Sequence, residues 1–102
     1  MRVSFVSPFL FIVLLMIQYT NMNSTYILEC ADKTLYVGST NDLEKRLHQH
    51  NNAKCGAHYT KIRRPVFLKY SENFETLKEA RAREAEIKGW TRVKKLNLIN
   101  KK

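Results

Sequence analysis

The residue whose position most needs a chemical explanation is Glu84. The stretch from Thr76 to Gly89 reads as a helix, and at about 100° per residue Leu77, Ala80, Glu84 and Ile87 fall within about 80° of one another. Glu84 thus stands in the apolar stripe, whereas Glu86 lies about 160° away on the polar face. A carboxylate facing a core is costly to desolvate unless a cation compensates it. A metal ion or an arginine would serve, and with an arginine the pair is structural. On an earlier helix Arg46 and His50 stand at i and i+4 and share a face. A guanidinium beside an imidazole can clamp a phosphate; the same two residues can also simply border the Leu43/Leu47 stripe on an exposed face. Tyr26 and Tyr36 flank a turn. With Glu29 and Lys33 closing that turn, the two tyrosines face each other across a hairpin and project to one side. Such pairs serve sheet packing as readily as catalysis. Gly38, at the end of the second strand, leaves room for a ligand to approach the backbone.

These residues need a scaffold, and the pattern along the chain supplies one. Thr25–Cys30 and Thr34–Gly38 are rich in β-branched and aromatic residues and read as a hairpin around the polar turn Ala31-Asp32-Lys33. Asn41 or Asp42 caps a helix over Leu43–His50. Residues 51–64 are polar, basic and irregular. Pro65 opens a third strand, Val66–Tyr70, at the one strand position where a missing N–H is harmless. Thr76 caps the helix that carries Glu84, Gly89 ends it, and Arg92–Asn100 forms a last basic helix. The order β-β-α-β-α-α predicts a small α/β domain, a short and mostly antiparallel three-stranded sheet flanked by helices.

Charge narrows the partner. The chain has 102 residues and a formal net charge of +9, of which only Arg2 lies in the first 21 residues. Lys45 to Lys69 holds seven Lys and Arg and no acid; Arg92 to Lys102 holds five and again no acid. Acid-free runs of this length suit a polyanion, nucleic acid or an anionic membrane surface, better than an ordinary mixed-sign surface. Lys54, Tyr59, Lys61, Arg63 and Arg64 in the first run, with Lys88, Arg92, Lys94 and Lys95 further on, are the candidates for phosphate contact, Tyr59 adding a stacking surface. The length excludes a large multidomain enzyme. Two cysteines, Cys30 and Cys55, are too few for a disulfide framework and lack zinc-site spacing, so both are expected as unpaired thiols.

Residues 1–21 differ from the rest. Phe9–Ile17 is a continuous apolar run behind Pro8, short beside the about 20 residues a spanning helix needs. It is closer to the apolar part of a signal peptide, yet Gln18-Tyr19-Thr20-Asn21 offers no small-residue cleavage site. The expected explanation is a start codon placed too far upstream, with translation beginning near Met22; a signal or anchor is the alternative. Residues 22–102 then form one domain, cytoplasmic if translation starts near Met22 and membrane-anchored otherwise.

Together, these residues resemble the GIY-YIG nuclease superfamily. Ser24-Thr25-Tyr26, followed by Ile27, stands where that family has Gly-Ile-Tyr, Tyr36-Val37-Gly38 is a variant of Tyr-Ile-Gly, and Arg46, His50-Asn51 and Glu84 follow at family spacing. Tyr59-Thr60, Arg63-Arg64-Pro65 and Arg83-Glu84-Ala85-Glu86-Ile87-Lys88 are similar to the small stand-alone branch, related to a catalytic domain of the excision-repair nuclease. The likeness runs from about Thr25 to Ile99. The chain departs from the pattern at Ser24, in place of the first glycine, and at Ser39, where some relatives carry a lysine whose part Lys88 or a basic loop residue could take.

The resemblance implies an endonuclease that hydrolyses phosphodiester bonds in DNA with Mg2+ (or Mn2+), in repair or nucleic-acid processing. Tyr36 would be the base, Glu84 the metal ligand and Arg46 the phosphate and transition-state contact. His50 and Tyr26 would orient the water or hydrogen-bond the phosphate. DNA is the expected partner, RNA the variant of it, without a small-molecule cofactor, and the expected state is a monomer. A domain this small makes few base contacts, so structure-directed or weakly specific action is expected. A nucleic-acid-binding module of weak or no catalytic power is the competing reading; a basic domain tethered to anionic lipid through residues 1–21 is another.

Overall fold

The computed structural model of the protein describes residues 22–52 and 57–101. The apolar segment 1–21, Lys54 and Cys55 lie outside the described residues. The elements are β1 (Asn23–Cys30), β2 (Leu35–Thr40), α1 (Leu43–Asn52), α2 (His58–Lys61), β3 (Val66–Phe74), α3 (Leu77–Lys88) and α4 (Arg92–Lys101). Among the described residues no helix is long and apolar enough to cross a membrane.

The three strands form one antiparallel sheet in the order β2-β1-β3. The central strand β1 is buried on both faces, and its period-2 alternation divides the core. On one face Tyr26, Leu28 and Cys30 pack with Val66 and with Tyr36, Leu43 and Leu47. On the other, Ile27 and Val37 pack under Ile87 of α3, with Trp90, Leu98 and Ile99 around them. Each of these fully buried aliphatic side chains contributes about 1.5–3 kcal/mol. Cys30 is a buried free thiol, as expected.

The hairpin closes differently from the sequence expectation. The Cys30 amide donates to the Thr34 carbonyl and the Lys33 amide to the Cys30 carbonyl, and Lys33 has φ 72°. This is a three-residue loop ending in a left-handed residue, held by Asp32, whose carboxylate accepts from the Thr34 amide and hydroxyl. Closure at Cys30/Thr34 rather than Glu29/Lys33 slides the register by two, so Tyr26 faces Gly38 and Leu28 faces Tyr36. Because the slip is even, both tyrosines still project to the same side.

Two further differences concern length. β3 continues four residues past Tyr70, because Ser71–Phe74 pair with Asn23–Tyr26 across a register shift between Ile27 and Leu28. Its polar end is held by the Ser24 hydroxyl on Asn73 Oδ1 and by the Arg83–Glu72 ion pair. The segment expected to be irregular contains the single turn α2. The helix α3 begins as expected: Thr76 accepts from the Glu79 amide while the Glu79 carboxylate accepts from the Thr76 amide, a closed capping box.

Candidate active site

The site is assembled around the edge strand β2. On one sheet face Tyr26 of β1 and Tyr36 of β2 lie 6.5 Å apart between ring centroids. His50, from the last turns of α1, meets both edge-on, at 5.8 Å from Tyr26 and 5.0 Å from Tyr36. Tyr59 of α2 closes this side at 6.0 Å from Tyr36. The close fit depends on Gly38, where a Cβ would lie 2.5 Å from Tyr26 Oη and 2.6 Å from its Cζ. The space beside Gly38 is therefore filled by the Tyr26 phenol, which corrects the expectation that a ligand approaches the backbone there.

His50 is fully buried, and both ring nitrogens are engaged: Nε2 is 2.8 Å from Tyr26 Oη, and Nδ1 is 2.7 Å from Thr60 Oγ1. Burial, then Arg46 and Arg64, lower its pKa to about 4, so it is a neutral imidazole near neutral pH. This removes the Arg46–His50 phosphate clamp: His50 has neither surface nor charge to offer a phosphate, and its role is to hold Tyr26. Arg46 remains half-exposed, with Nη1 on Gln49 Oε1 at 3.1 Å, and its charge acts on the Tyr26 phenol. Burial pushes the Tyr26 phenol up to about 12, against the opposing pull of Arg46.

Glu84 approaches from the other sheet face. α3 is tied to β1 by Thr25, whose buried hydroxyl donates to the Ala80 carbonyl at 2.6 Å, one turn before Glu84. The Ser39 hydroxyl donates to Glu84 Oε1 at 2.5 Å, and Lys88 Nζ is 2.6 Å from Oε2. Thus the compensating cation is a lysine at i+4 rather than an arginine. Ser39 and Lys88, the two residues tied to the missing lysine of the resemblance, both touch this carboxylate. Glu84 also raises the Tyr26 pKa through its charge, and Tyr36 is among the groups favouring the Lys88 ammonium after Glu84 itself. Glu86 points outward and pairs with Arg83 at 2.9 Å.

Among the described residues no group of three or more His, Cys, Asp or Glu forms a metal cage. Mg2+ needs only one or two carboxylates, completing its shell with water and phosphate oxygens. A half-buried carboxylate with a hydroxyl beside it and a displaceable ammonium fits that habit.

The expected nucleic-acid contacts divide. Arg63 pairs with Asp32 at 3.0 Å and covers the Tyr59 ring at 3.9 Å, so one stacking surface of Tyr59 is already occupied. Arg64 donates to the Gln49 and His50 carbonyls and so caps the C-terminal end of α1. Lys88 belongs to Glu84. Lys61 is exposed near Tyr59. Arg92, Lys94 and Lys95 lie on α4, which packs on the sheet face opposite the tyrosines, and Lys94 sits 4.2 Å over the Trp90 ring. The sequence reading missed the roles of Thr25 and Thr60. Both are buried hydroxyls: the partner of Thr25 lies 55 residues away, that of Thr60 is brought to it by the turn α2, and neither stands in a spacing that signals its role.

Known proteins resemble this chain in sequence and in fold. The GIY-YIG catalytic domain family matches residues 22–97. A UPF0213 protein of Clostridium perfringens is 56% identical over 81 residues, covering 79% of this chain and 86% of the relative. One from Staphylococcus saprophyticus is 56% identical over 75 residues, covering 74% and 90%. The solution NMR structure of a UPF0213 protein from Bacillus halodurans superposes with a TM-score of 0.52 at 37% identity, over 79% of this chain and 85% of that one. The chain therefore belongs to the GIY-YIG family of nuclease-type domains, in the small stand-alone branch of the UPF0213 proteins.

Proposed function

We propose that the protein is a divalent-metal-dependent endonuclease that hydrolyses phosphodiester bonds in DNA, acting on structure more than sequence. The observation that carries this reading is the meeting, around one edge strand, of a tyrosine–histidine cluster with a carboxylate held by displaceable donors. Glu84 would hold Mg2+ or Mn2+, with Ser39 beside it; the bound ion would supply Lewis-acid polarisation of the phosphate. Tyr36 is half-exposed and acts as the base, its Oη taking the proton of the attacking water. Tyr26 stays a phenol, anchored on His50, and orients that water. Arg46 binds the phosphate and stabilises the charge that develops on it. Lys61 and the α4 residues Arg92 and Lys95 attract the backbone, a salt-sensitive contribution that adds affinity but no sequence preference.

The test is cleavage of labelled flaps, nicked duplexes, single strands, hairpins and RNA with Mg2+ or Mn2+. Cutting that a chelator abolishes, and that Tyr36→Phe abolishes, is the expected result. Salt-dependent binding of the whole panel without cleavage of any member would instead establish a binding module.

A further inference from the structure

A chain of buried hydrogen bonds runs from α2 to Tyr26. Thr60 Oγ1 lies 3.0 Å from the Ala57 carbonyl and 2.7 Å from His50 Nδ1, and His50 Nε2 lies 2.8 Å from Tyr26 Oη. Thr60, His50 and Tyr26 are all buried to 1% exposure or less. The ends of this chain differ in kind. The Ala57 carbonyl can only accept, so it takes the single Thr60 proton beside the Lys61 amide it already accepts at 2.9 Å. The Thr60 oxygen must then accept from His50, which places the imidazole proton on Nδ1 and leaves Nε2 bare. Tyr26 therefore donates to Nε2. At the far end stands Arg46, whose guanidinium can only donate and whose charge favours electron density on the Tyr26 oxygen. In the direction described every buried group is partnered, in keeping with the absence of unpaired buried side-chain polar atoms among the described residues.

We propose that Thr60 is a positioning residue that fixes His50 as the Nδ1–H tautomer, so that Tyr26 presents lone pairs, not a proton, to the site. A water held there donates one O–H to Tyr26 and keeps its own lone pair free for phosphorus. The neutral state of His50 fits this direction, because an imidazolium would donate at both nitrogens and reverse the last bond. The catalytic consequence rests on the nuclease reading; the tautomer does not.

The experiment compares the wild type, Thr60→Val and Thr60→Ser by two readouts. Long-range 15N–1H NMR of His50 reports which nitrogen carries the proton, and steady-state kinetics follow whichever substrate the cleavage panel identifies. The wild type and Thr60→Ser should show Nδ1–H. Thr60→Val should lose that single tautomer, and its kcat should fall about tenfold while KM stays within about twofold, Thr60→Ser recovering most of the loss. A wild-type His50 protonated on Nε2 overturns the proposal, as does Thr60→Val that keeps both Nδ1–H and full kcat. Should Thr60→Val fail to fold, the wild-type tautomer decides alone. A wild type that cleaves no substrate refutes the nuclease reading, and the NMR result still decides the direction of the chain.

Discussion

Gly38→Ala adds one methyl group at the most crowded point of the site. Its carbon would lie 2.5 Å from Tyr26 Oη, 2.6 Å from Cζ and 3.1 Å from Cε1. A flexible side-chain end could swing away, but this phenol is 1% exposed, packed beside Tyr36 and hydrogen-bonded to His50. Relief requires the ring to move by most of an ångström, which overpacks the tyrosine face and stretches the bond to His50. Overpacking costs about 1–3 kcal/mol and a buried hydrogen bond about 0.5–1.5 kcal/mol, so a loss of about 2–4 kcal/mol is expected. The control is Gly89→Ala, where the added carbon meets the Glu86 carbonyl at 3.6 Å with φ at −79°. That change should be neutral, or stabilising by up to about 1 kcal/mol. Urea unfolding followed by far-UV circular dichroism measures both. Equal midpoints for the two variants would show that the Tyr26 ring does not lie against Gly38, and the geometry of the tyrosine cluster would fall with it.

Glu84→Gln should lower cleavage by at least about a hundredfold, since a Lewis acid contributes several kcal/mol and each 1.4 kcal/mol is a factor of ten. Glu86→Gln should leave it near wild type, and the opposite ranking would reverse the assignment. Glu84→Gln should also cost stability by about 1 kcal/mol or less, because Lys88 and Ser39 partner the carboxylate it replaces. Lys88→Met should raise Mg2+ affinity severalfold in a calorimetric titration without substrate, by removing the ammonium that competes for Glu84; unchanged or weaker binding counts against that competition. His50 has a folded pKa of about 4 against an ordinary 6.5, so the fold holds fewer protons there than the unfolded chain. Its stabilising contribution is present above about pH 6.5 and is lost toward pH 4, on the order of 3 kcal/mol in all. Urea midpoints should fall through that window more steeply than in His50→Gln, and parallel pH profiles would contradict the shift.

The parts of the fold that were legible in the sequence are those governed by local chemistry. Thr76 and Glu79 announce the start of α3, and from that start the helical period alone aims Glu84 at the sheet and Glu86 at solvent. The hairpin was legible in kind but not in register. Its left-handed residue is Lys33, and a lysine does not signal positive φ as Gly or Asn would. The polar half of β3 has no alternation to read, because tertiary partners such as Arg83 and Ser24 hold it. His50 was legible as a site residue but misread in its setting. Its position on α1 shows which face it shares with Arg46, but not that α2 would close over it and supply Thr60 from ten residues away.

Thr25 and Tyr26 are consecutive residues, and because a strand alternates they point to opposite sides of the sheet. Thr25 holds α3 through Ala80, and Tyr26 holds α1 through His50. One peptide unit of β1 is thus the pivot from which both walls of the site hang. A one-residue slip of β1 against its neighbours would exchange the two anchors, offering a phenol to α3 and a short hydroxyl to His50. Neither wall could then be seated without the other. The catalytic arrangement should therefore appear and vanish as a unit with the pairing of β1, leaving no folded state that retains half of it.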